Sequence, residues 1–410
     1  MTLFFEQTLI SIVLVLLGGF LAGQLVKKIK LPPLLGMILI GIIFGSQFTN
    51  ILAPSLLDSA DNFRTIAVMT ILMKAGLGLD REKLKQQGSV ALRLGFLPAI
   101  FEALVVMILA VILLDFSWVT GLLLGCILSP ESPAVIVPGM LRLKSLGWGV
   151  KKGIPDAILT GSALSDVLLL LVFSLLINFL SQDKNFNLDS LTLLPIQLIT
   201  QVVLGVLIGW ITAYLFVYLF IKQKWSENIV QETFLSASIA VGLVKIAEIY
   251  PIFSGYLAVM SFGFFLIEKS APLAERLRVG FDSIWKVAEI FLFVLLGANI
   301  PLNILGDTLI VGLIILILGT LVGRMTGWYL ATWGSNWNRD EKLFLLAGNS
   351  AKATVQAAIG ALPLSLGIEG GEKILALAGL SILVTAPLGA WAIPTFAPRL
   401  LQREEKNISS

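Results

Sequence analysis

Long apolar runs, each about the length of a membrane-spanning helix, recur from one end of the chain to the other with only short polar loops between them. A helix that crosses a bilayer needs about 20 predominantly apolar residues. The composition agrees, since 57% of the residues are hydrophobic and 13% are charged, whereas soluble domains carry about 25% charged residues. The chain is therefore predicted to be an all-α polytopic membrane protein without a soluble domain.

About thirteen transmembrane helices are predicted, in the segments 3–26, 32–48, 63–79, 89–114, 118–141, 154–180, 193–221, 230–249, 252–268, 281–300, 308–333, 341–364 and 373–398. Cytoplasmic loops of membrane proteins carry an excess of lysine and arginine. With the N-terminus outside, 20 of the 29 lysines and arginines fall in the inner loops and the C-terminal tail, and 3 fall in the outer loops. This asymmetry predicts a cytoplasmic C-terminus, in the plasma (inner) membrane.

The composition also excludes several kinds of chemistry. Cys126 is the only cysteine, so an internal disulfide is impossible, and the absence of histidine removes the commonest metal ligand. Proton transfer must therefore rely on carboxylates, lysines or water. The small net charge of +3 argues against a nucleic-acid partner. Neither a cofactor nor enzymatic activity is expected.

Three charged residues are predicted to share one depth inside the membrane. At about 1.5 Å per helical residue, Glu131, Asp166 and Lys352 all lie near the midplane, each on a different span. A charge there costs about 2.5–3.5 kcal/mol on insertion scales. Secondary transporters place their binding sites at this depth.

Other charges within the spans are interpreted as structural. Lys245 with Glu248, and Lys286 with Glu289, are spaced three residues apart and are expected to neutralise each other on their own helices. Lys74 has no obvious partner in the sequence.

Two spans are predicted to be interrupted. The fifth contains Pro130, Pro133 and Pro138, and each proline removes a helical hydrogen bond. The twelfth reads GNSAKATVQAAIG, residues 348–360, which is too polar for a lipid-facing helix. A proline kink in the fifth span and a continuous polar interior helix in the twelfth remain the alternatives.

The two unusual spans are seven helices apart, which predicts opposite orientations in the membrane. Spans 2–6 and 9–13 would then form two inverted five-helix repeats, with the broken helices of spans 5 and 12 crossed at the midplane. Glu131 and Lys352 occupy matching positions and are expected to satisfy the charged helix ends. Glu102 and Arg324, on corresponding helices, are expected to form a buried ion pair.

Several segments, read together, point to a known family: KAGLGLDREKL (74–84), PAIFEA (98–103), SPAVIVPGML (132–141), GWGVKKGIPDAILTGSALSDV (147–167) and KATVQAAIG (352–360). They resemble the NHA-type branch of the cation:proton antiporter superfamily. The resemblance implies exchange of Na⁺ or Li⁺ for H⁺ by an elevator-type core domain that moves against a dimer-forming domain. It also implies that Asp166 binds cation and proton alternately, with Arg324 and Lys352 nearby and Glu102 paired with the arginine.

The sequence departs from the family pattern at two places. Members of this branch usually carry two adjacent aspartates in the sixth span, and other branches carry Asn-Asp, but here Ser165 precedes Asp166. Glu131 and Ser132 stand before Pro133, where related branches have Thr-Asp-Pro. A single carboxylate carrier predicts electroneutral one-for-one exchange, which becomes electrogenic if Lys352 or Glu131 also releases a proton in each cycle.

The transported cation is expected to bind oxygen atoms, which hard cations prefer. Asp166 is the predicted metal ligand, and the side chains that accompany it are Ser162, Ser165, Glu131 and Ser132, with Lys352, Arg324 and Glu102 as charge-compensating residues. Backbone carbonyls freed around residues 129–133 are further candidates. The alternative is that Asp166 forms only a structural ion pair with Lys352.

The predicted domain organisation follows these assignments: scaffold and dimerisation helices (1–79 and 230–300), a core transport domain in two parts (88–180 and 306–398), a linker helix (193–221) and a cytoplasmic tail (399–410). The expected partners are a monovalent cation, the proton, the lipid bilayer and a second copy of the chain. Three other functions remain open, namely a K⁺/H⁺ antiporter, a sodium-coupled organic-anion symporter of related fold and a channel. No nucleotide-binding motif supports a primary pump.

Overall fold

A computed structural model describes residues 2–29, 31–78, 81–181, 188–250 and 252–403. In these ranges the chain forms eighteen α-helices. They are α1 (Thr2–Lys28), α2 (Pro33–Phe44), α3 (Pro54–Asp58), α4 (Ala60–Gly78), α5 (Arg81–Leu114), α6 (Trp118–Leu128), α7 (Pro133–Ser145), α8 (Ile154–Ser181), α9 (Leu188–Val217), α10 (Ile229–Ile249), α11 (Gly255–Lys269), α12 (Ala271–Asn299), α13 (Leu302–Leu318), α14 (Met325–Ala331), α15 (Arg339–Gly348), α16 (Thr354–Ile359), α17 (Leu362–Ser365) and α18 (Gly371–Leu400).

Each predicted span coincides with one helix or with consecutive helical segments. Within the described residues, eight helical stretches are long and apolar enough to cross a membrane, and α2 is a shorter apolar helix. The protein is therefore an all-α multi-pass membrane protein, as predicted, while the count of thirteen crossings stays a prediction. The last residues of the predicted tail, 404–410, lie outside the described residues.

Helix ends follow local sequence signals. The side chain of Ser117 accepts a hydrogen bond from the backbone N–H of Thr120 at the start of α6. Asn338 and Glu341 form a reciprocal capping box at the start of α15, which satisfies two backbone donors that a helix leaves free. Glu341 also binds Lys152, with 2.7 Å between Oε2 and Nζ.

The chain divides into two compact units. The first comprises residues 1–60, 82–169 and 290–410, and the second comprises residues 61–81 and 170–289, so that the boundaries fall within α4, α5, α8 and α12. The predicted division into core and scaffold domains stays a prediction.

In the first unit, α18 packs against α13, α15 and α7 and against the shorter α16 and α17. Many of its side chains between Ile374 and Ile382 are buried. This unit contains every residue of the candidate site described below.

In the second unit, α9 packs along α11. A Cβ atom at Gly209 would lie 2.5 Å from the carbonyl oxygen of Ala258, so glycine permits this close approach. The buried Glu232 of α10 accepts two hydrogen bonds from Arg276 of α12, at 2.7 and 2.9 Å.

Candidate functional site

The first interruption separates α6 from α7. The helix stops at Ser129, and residues up to Ser132 leave the helical path before Pro133 starts α7. Pro133 has no N–H to donate, which suits the first turn of a helix but not its interior. The fifth predicted span is therefore interrupted, not merely kinked.

The second interruption separates α15 from α16. Asn349 ends α15, and the chain is non-helical until Thr354 starts α16. The N–H of Lys352 is satisfied by the hydroxyl of Thr385 on α18, at 2.8 Å. The twelfth predicted span is therefore also interrupted.

The two interruptions touch each other. The N–H of Ser132 donates to the carbonyl of Ala351 at 2.8 Å. The amide of Gln356 donates to the carbonyls of Ile127 and Pro130, at 3.0 and 2.8 Å. Backbone groups that the prolines free inside an apolar protein are thus paired with the other interrupted helix.

Arg324 is placed by a short π-helical segment, Gly319–Arg324, between α13 and α14. Gly323 packs directly on α5, because a Cβ there would lie 2.7 Å from the Cα of Glu102. This contact brings Nε of Arg324 to 2.5 Å from Oε2 of Glu102. The ion pair predicted from the sequence is present and fully buried.

Arg324 also binds the ends of both interrupted helices. Its Nη1 donates to the carbonyl of Asn349 at 2.8 Å, and its Nη2 donates to the carbonyl of Ser129. These residues cap the C-terminal ends of α15 and α6, where the helix dipole is negative. The sequence had suggested Lys352 for a helix end, but Arg324 has this role.

Two acids and two bases neutralise one another at the crossing. Glu131 accepts from Nη1 of Arg324 at 2.6 Å. Lys352 places Nζ 2.9 Å from Oε1 of Glu102. All four side chains are at most 2% exposed. Charge balance here requires no further ion.

Asp166 is a fifth buried ionisable side chain at this crossing, and it has no ion-pair partner among the described residues. It lies on α8, is 6% exposed, and its Oδ1 has no hydrogen-bond partner. Its carboxylate faces the backbone of Glu131. The alternative ion pair between Asp166 and Lys352 is not among the ion pairs of the described residues, where Lys352 pairs with Glu102 instead.

The predicted serines lie around Asp166 with different contacts. Ser165 donates to Oε2 of Glu131 and has the carbonyl of Ser162 at 2.9 Å as a second acceptor. The hydroxyl of Ser162 donates to Oδ1 of Asn349 at 3.2 Å. The hydroxyl of Ser132 is buried and has no partner in the described part of the protein.

Comparison with known proteins identifies the family of this chain. The family model for the transmembrane sodium/hydrogen exchanger matches residues 12–397. The chain belongs to the sodium/hydrogen exchanger family. It is 32% identical to the human sodium/hydrogen exchanger 9B2 over 417 residues, covering 95% of this chain and 74% of the human protein. It is 30% identical to the mouse sodium/hydrogen exchanger 9B1 over 418 residues, covering 97% and 72%.

A solved structure of the sodium proton antiporter MjNhaP1 from Methanocaldococcus jannaschii at pH 8 has the same fold. The TM-score is 0.80 at 21% identity, covering 97% of this chain and 99% of that one. The fold of this sodium/hydrogen exchanger family member is therefore shared with MjNhaP1.

Three residues of the site were not predicted from the sequence of this family member. Gln356 and Thr385 satisfy backbone groups of the interrupted helices, and Asn349 accepts a hydrogen bond from Ser162 of α8. The polar run around residues 348–356 was the available signal for Asn349 and Gln356. Thr385 lies in an apolar stretch of α18, where the sequence gives no such signal.

The other intramembrane charges of this family member are mostly paired. Lys245 and Glu248 form the predicted ion pair, at 2.8 Å. Lys74 pairs with Asp282 at 2.7 Å, which the sequence did not indicate. The pair predicted between Lys286 and Glu289 is not among the ion pairs of the described residues.

Proposed function

We propose that this protein exchanges Na⁺ or Li⁺ for H⁺ across the membrane, with Asp166 as the single carboxylate that carries either ion. The charge count at the crossed helices supports the proposal. Glu102 and Glu131 are balanced by Arg324 and Lys352, and Asp166 remains as one buried acid without an ion-pair partner in the described residues. The names of the curated relatives and of the structural neighbour also refer to sodium/proton exchange.

This arrangement explains how exchange is coupled. When Asp166 holds neither ion, the buried site carries one net negative charge, which is costly in an apolar environment. A bound proton and a bound Na⁺ each bring the site to neutrality. Only the loaded site then crosses the membrane at low cost, and the empty site does not.

One-for-one exchange follows from the same count. Because each direction of the cycle moves a neutral site, no net charge crosses the membrane. The membrane potential, worth about 2.3 kcal/mol per charge per 100 mV, then has no effect on the equilibrium. Glu131 is held by Arg324 and Ser165, which argues against its acting as a second proton carrier.

The oxygen atoms around Asp166 suit an alkali cation. The proposed ligands are Asp166 itself, the hydroxyls of Ser162, Ser165 and Ser132, and Glu131. Hard cations bind carboxylate, carbonyl and hydroxyl oxygens. The described residues contain no group of three or more acids or cysteines of the kind that retains a metal ion tightly, which suits an ion that must be released.

The remaining parts of the proposal rest on the family resemblance and on the distribution of charge. The core transport domain, 88–180 and 306–398, moves in an elevator-type step against the scaffold, 1–79 and 230–300, within a homodimer. The segment 193–221 links the two parts. The N-terminus lies outside and the C-terminus lies in the cytoplasm of a cell with the protein in its plasma membrane.

Proton flux in proteoliposomes tests the function. Addition of Na⁺, Li⁺ or K⁺ is followed with a trapped pH dye, with and without a clamped potential. Wild type is expected to respond to Na⁺ or Li⁺ independently of potential, and Asp166→Asn is expected to be inactive. Asp307→Asn, which removes an exposed acid of α13, serves as the matched control and should exchange normally.

Each opposite result has a definite meaning. Undiminished exchange in Asp166→Asn contradicts the assignment of the carrier. A response to K⁺ alone would mean that the protein exchanges K⁺, not Na⁺ or Li⁺, for H⁺. A rate that depends on membrane potential would exclude one-for-one exchange. Transport of an organic anion with Na⁺, in place of proton flux, would favour a symporter.

A further inference from the structure

The hydroxyl of Ser162 on α8 bonds a neighbouring helix. It donates to Oδ1 of Asn349, the residue that ends α15, at 3.2 Å. Ser174 and Ser381 instead donate to a carbonyl three residues earlier in their own helices, at 2.8 and 2.7 Å. Such local bonding is common for serines within helices. The acceptor of Ser162 is therefore supplied by the packing of α15 beside α8.

Asn349 is a fixed acceptor. It is 1% exposed, and its backbone carbonyl accepts from Nη1 of Arg324 at 2.8 Å. The preceding Gly348 packs against α8, because a Cβ there would lie 3.1 Å from Cδ1 of Ile158. Ile158 lies one turn before Ser162 on α8. The end of α15 is thus held on both sides, and the side-chain oxygen of Asn349 is held with it.

Ser162 and Asp166 lie on the same face of α8. Residues four apart in a helix have Cβ atoms about 5–6 Å apart, so a hydroxyl and a carboxylate at these positions can bind one ion between them. Both residues are buried, and Oδ1 of Asp166 has no hydrogen-bond partner in the described part of the chain. A serine hydroxyl has one proton and two lone pairs. Because Asn349 takes the proton, Ser162 can offer a ligand only its lone pairs, as a cation requires.

We propose that Asn349 is a positioning residue for cation binding, an inference that rests on the proposed exchange at Asp166. Oδ1 of Asn349 accepts the hydroxyl proton of Ser162 and thereby holds that hydroxyl oxygen as an acceptor for the ion. Asn349 itself does not bind the ion. Loss of a partner that orients a ligand in this way typically costs about 10–100-fold in metal affinity. A proton needs only one acceptor, so proton binding stays with Asp166.

Asn349→Leu tests the inference, because leucine has a similar volume and no acceptor. The half-saturating concentration of Na⁺ is measured by cation-driven proton flux in proteoliposomes, together with the maximal rate and the pH profile at saturating Na⁺. The half-saturating concentration is expected to rise about tenfold, because the hydroxyl of Ser162 is no longer held in one orientation. The maximal rate and the pH profile should change little, since the proton binds Asp166.

A double-mutant cycle with Ser162→Ala shows whether Asn349 acts through Ser162. Each single variant is expected to raise the half-saturating concentration of Na⁺. The double variant should raise it no further than Ser162→Ala does, because the residue that Asn349 positions is already absent. Asn299→Leu is the matched control, since the amide of Asn299 donates to the carbonyl of Leu295 in its own helix, at 2.8 Å. It should leave the half-saturating concentration unchanged.

The inference is overturned if Asn349→Leu or Ser162→Ala keeps the wild-type half-saturating concentration, or if Asn349→Leu lowers only the maximal rate. Effects that multiply in the double variant overturn it as well, because Asn349 would then act without Ser162. If Asn349→Leu does not fold, Asn349→Ala takes its place in the same cycle. A wild type without cation-driven proton flux instead overturns the proposed function itself, so the two failures are distinguished.

Discussion

Arg324 and Glu131 meet where the two interrupted helices cross, with 2.6 Å between Nη1 and Oε1. The same guanidinium binds Glu102 and the final carbonyls of α6 and α15. Arginine suits this position because its planar group offers five donors in a fixed geometry. Arg324 therefore joins three other chain segments, namely α5, the first interruption and the end of α15, around one positive charge.

Replacement of Arg324 by glutamine is expected to destabilise the protein strongly. Two carboxylates and two carbonyls would lose their donor in a fully buried place, and the loss of one partner from a buried ion pair typically costs about 3–5 kcal/mol. Thermal unfolding of the purified protein in detergent measures the effect.

The control for this variant is Arg278→Gln, which breaks an exposed pair with Glu275. Exposed pairs contribute little because water screens them, so the melting temperature should barely change. Equal losses in the two variants would argue against the central position of Arg324.

Glu131→Gln is expected to abolish the exchange. In this variant the two bases are opposed by Glu102 and Asp166, so the empty site becomes neutral and the loaded site positive. The loaded carrier then bears a net charge that is costly in an apolar environment, and only the empty carrier crosses at low cost. Loss of both sodium uptake and proton flux, in a protein that still folds, is the expected observation.

Glu372→Gln, at an exposed acid in the first turn of α18, is the matched control and should stay coupled. Coupled, potential-independent exchange in Glu131→Gln would show that the charge of the buried cluster does not determine which states cross the membrane.

The interrupted helices were predictable because local chemistry fixes them. Pro130 and Pro133 cannot continue a helix, and the polar run around Lys352 cannot face lipid. The pair between Glu102 and Arg324 was predictable because both are buried charges of opposite sign on corresponding helices. In these cases one or two residues carry enough information.

The other contacts were not predictable because their partners have no local signature. Arg324 binds backbone carbonyls, and every residue has one of these. Lys74 pairs with Asp282, more than 200 residues away in sequence. Thr385 reaches the second interruption only because α18 packs against it. Such contacts depend on how the helices pack, which hydropathy alone does not specify.

Glu102 and Lys352 are expected to be energetically coupled. Glu102→Gln and Lys352→Gln should each destabilise the protein, since each leaves a buried charge unopposed. The double variant should lose less folding stability than the sum of the losses in the two single variants. The difference, which is the coupling energy, is about 0.5–3 kcal/mol for residues in direct contact. The melting temperatures of wild type, the two single variants and the double variant form a double-mutant cycle that measures this coupling. Strictly additive losses of stability would contradict the ion pair of 2.9 Å between Glu102 and Lys352.

Gly323→Ala tests whether close helix packing sets the site. A methyl group there would lie 2.7 Å from the Cα of Glu102, a backbone atom that cannot move aside without shifting α5. The variant should lose about 1–3 kcal/mol through overpacking, and exchange should fall because Arg324 follows directly in the chain. Gly306→Ala, on an exposed part of α13 with no atom within 4 Å of the added methyl group, should instead gain about 0.5–1 kcal/mol through lower backbone entropy in the unfolded state. Melting temperature and proton flux are measured for both. A neutral Gly323→Ala with normal flux would mean that α5 and the π-helical segment tolerate separation, and that the ion pair alone holds Arg324 in place.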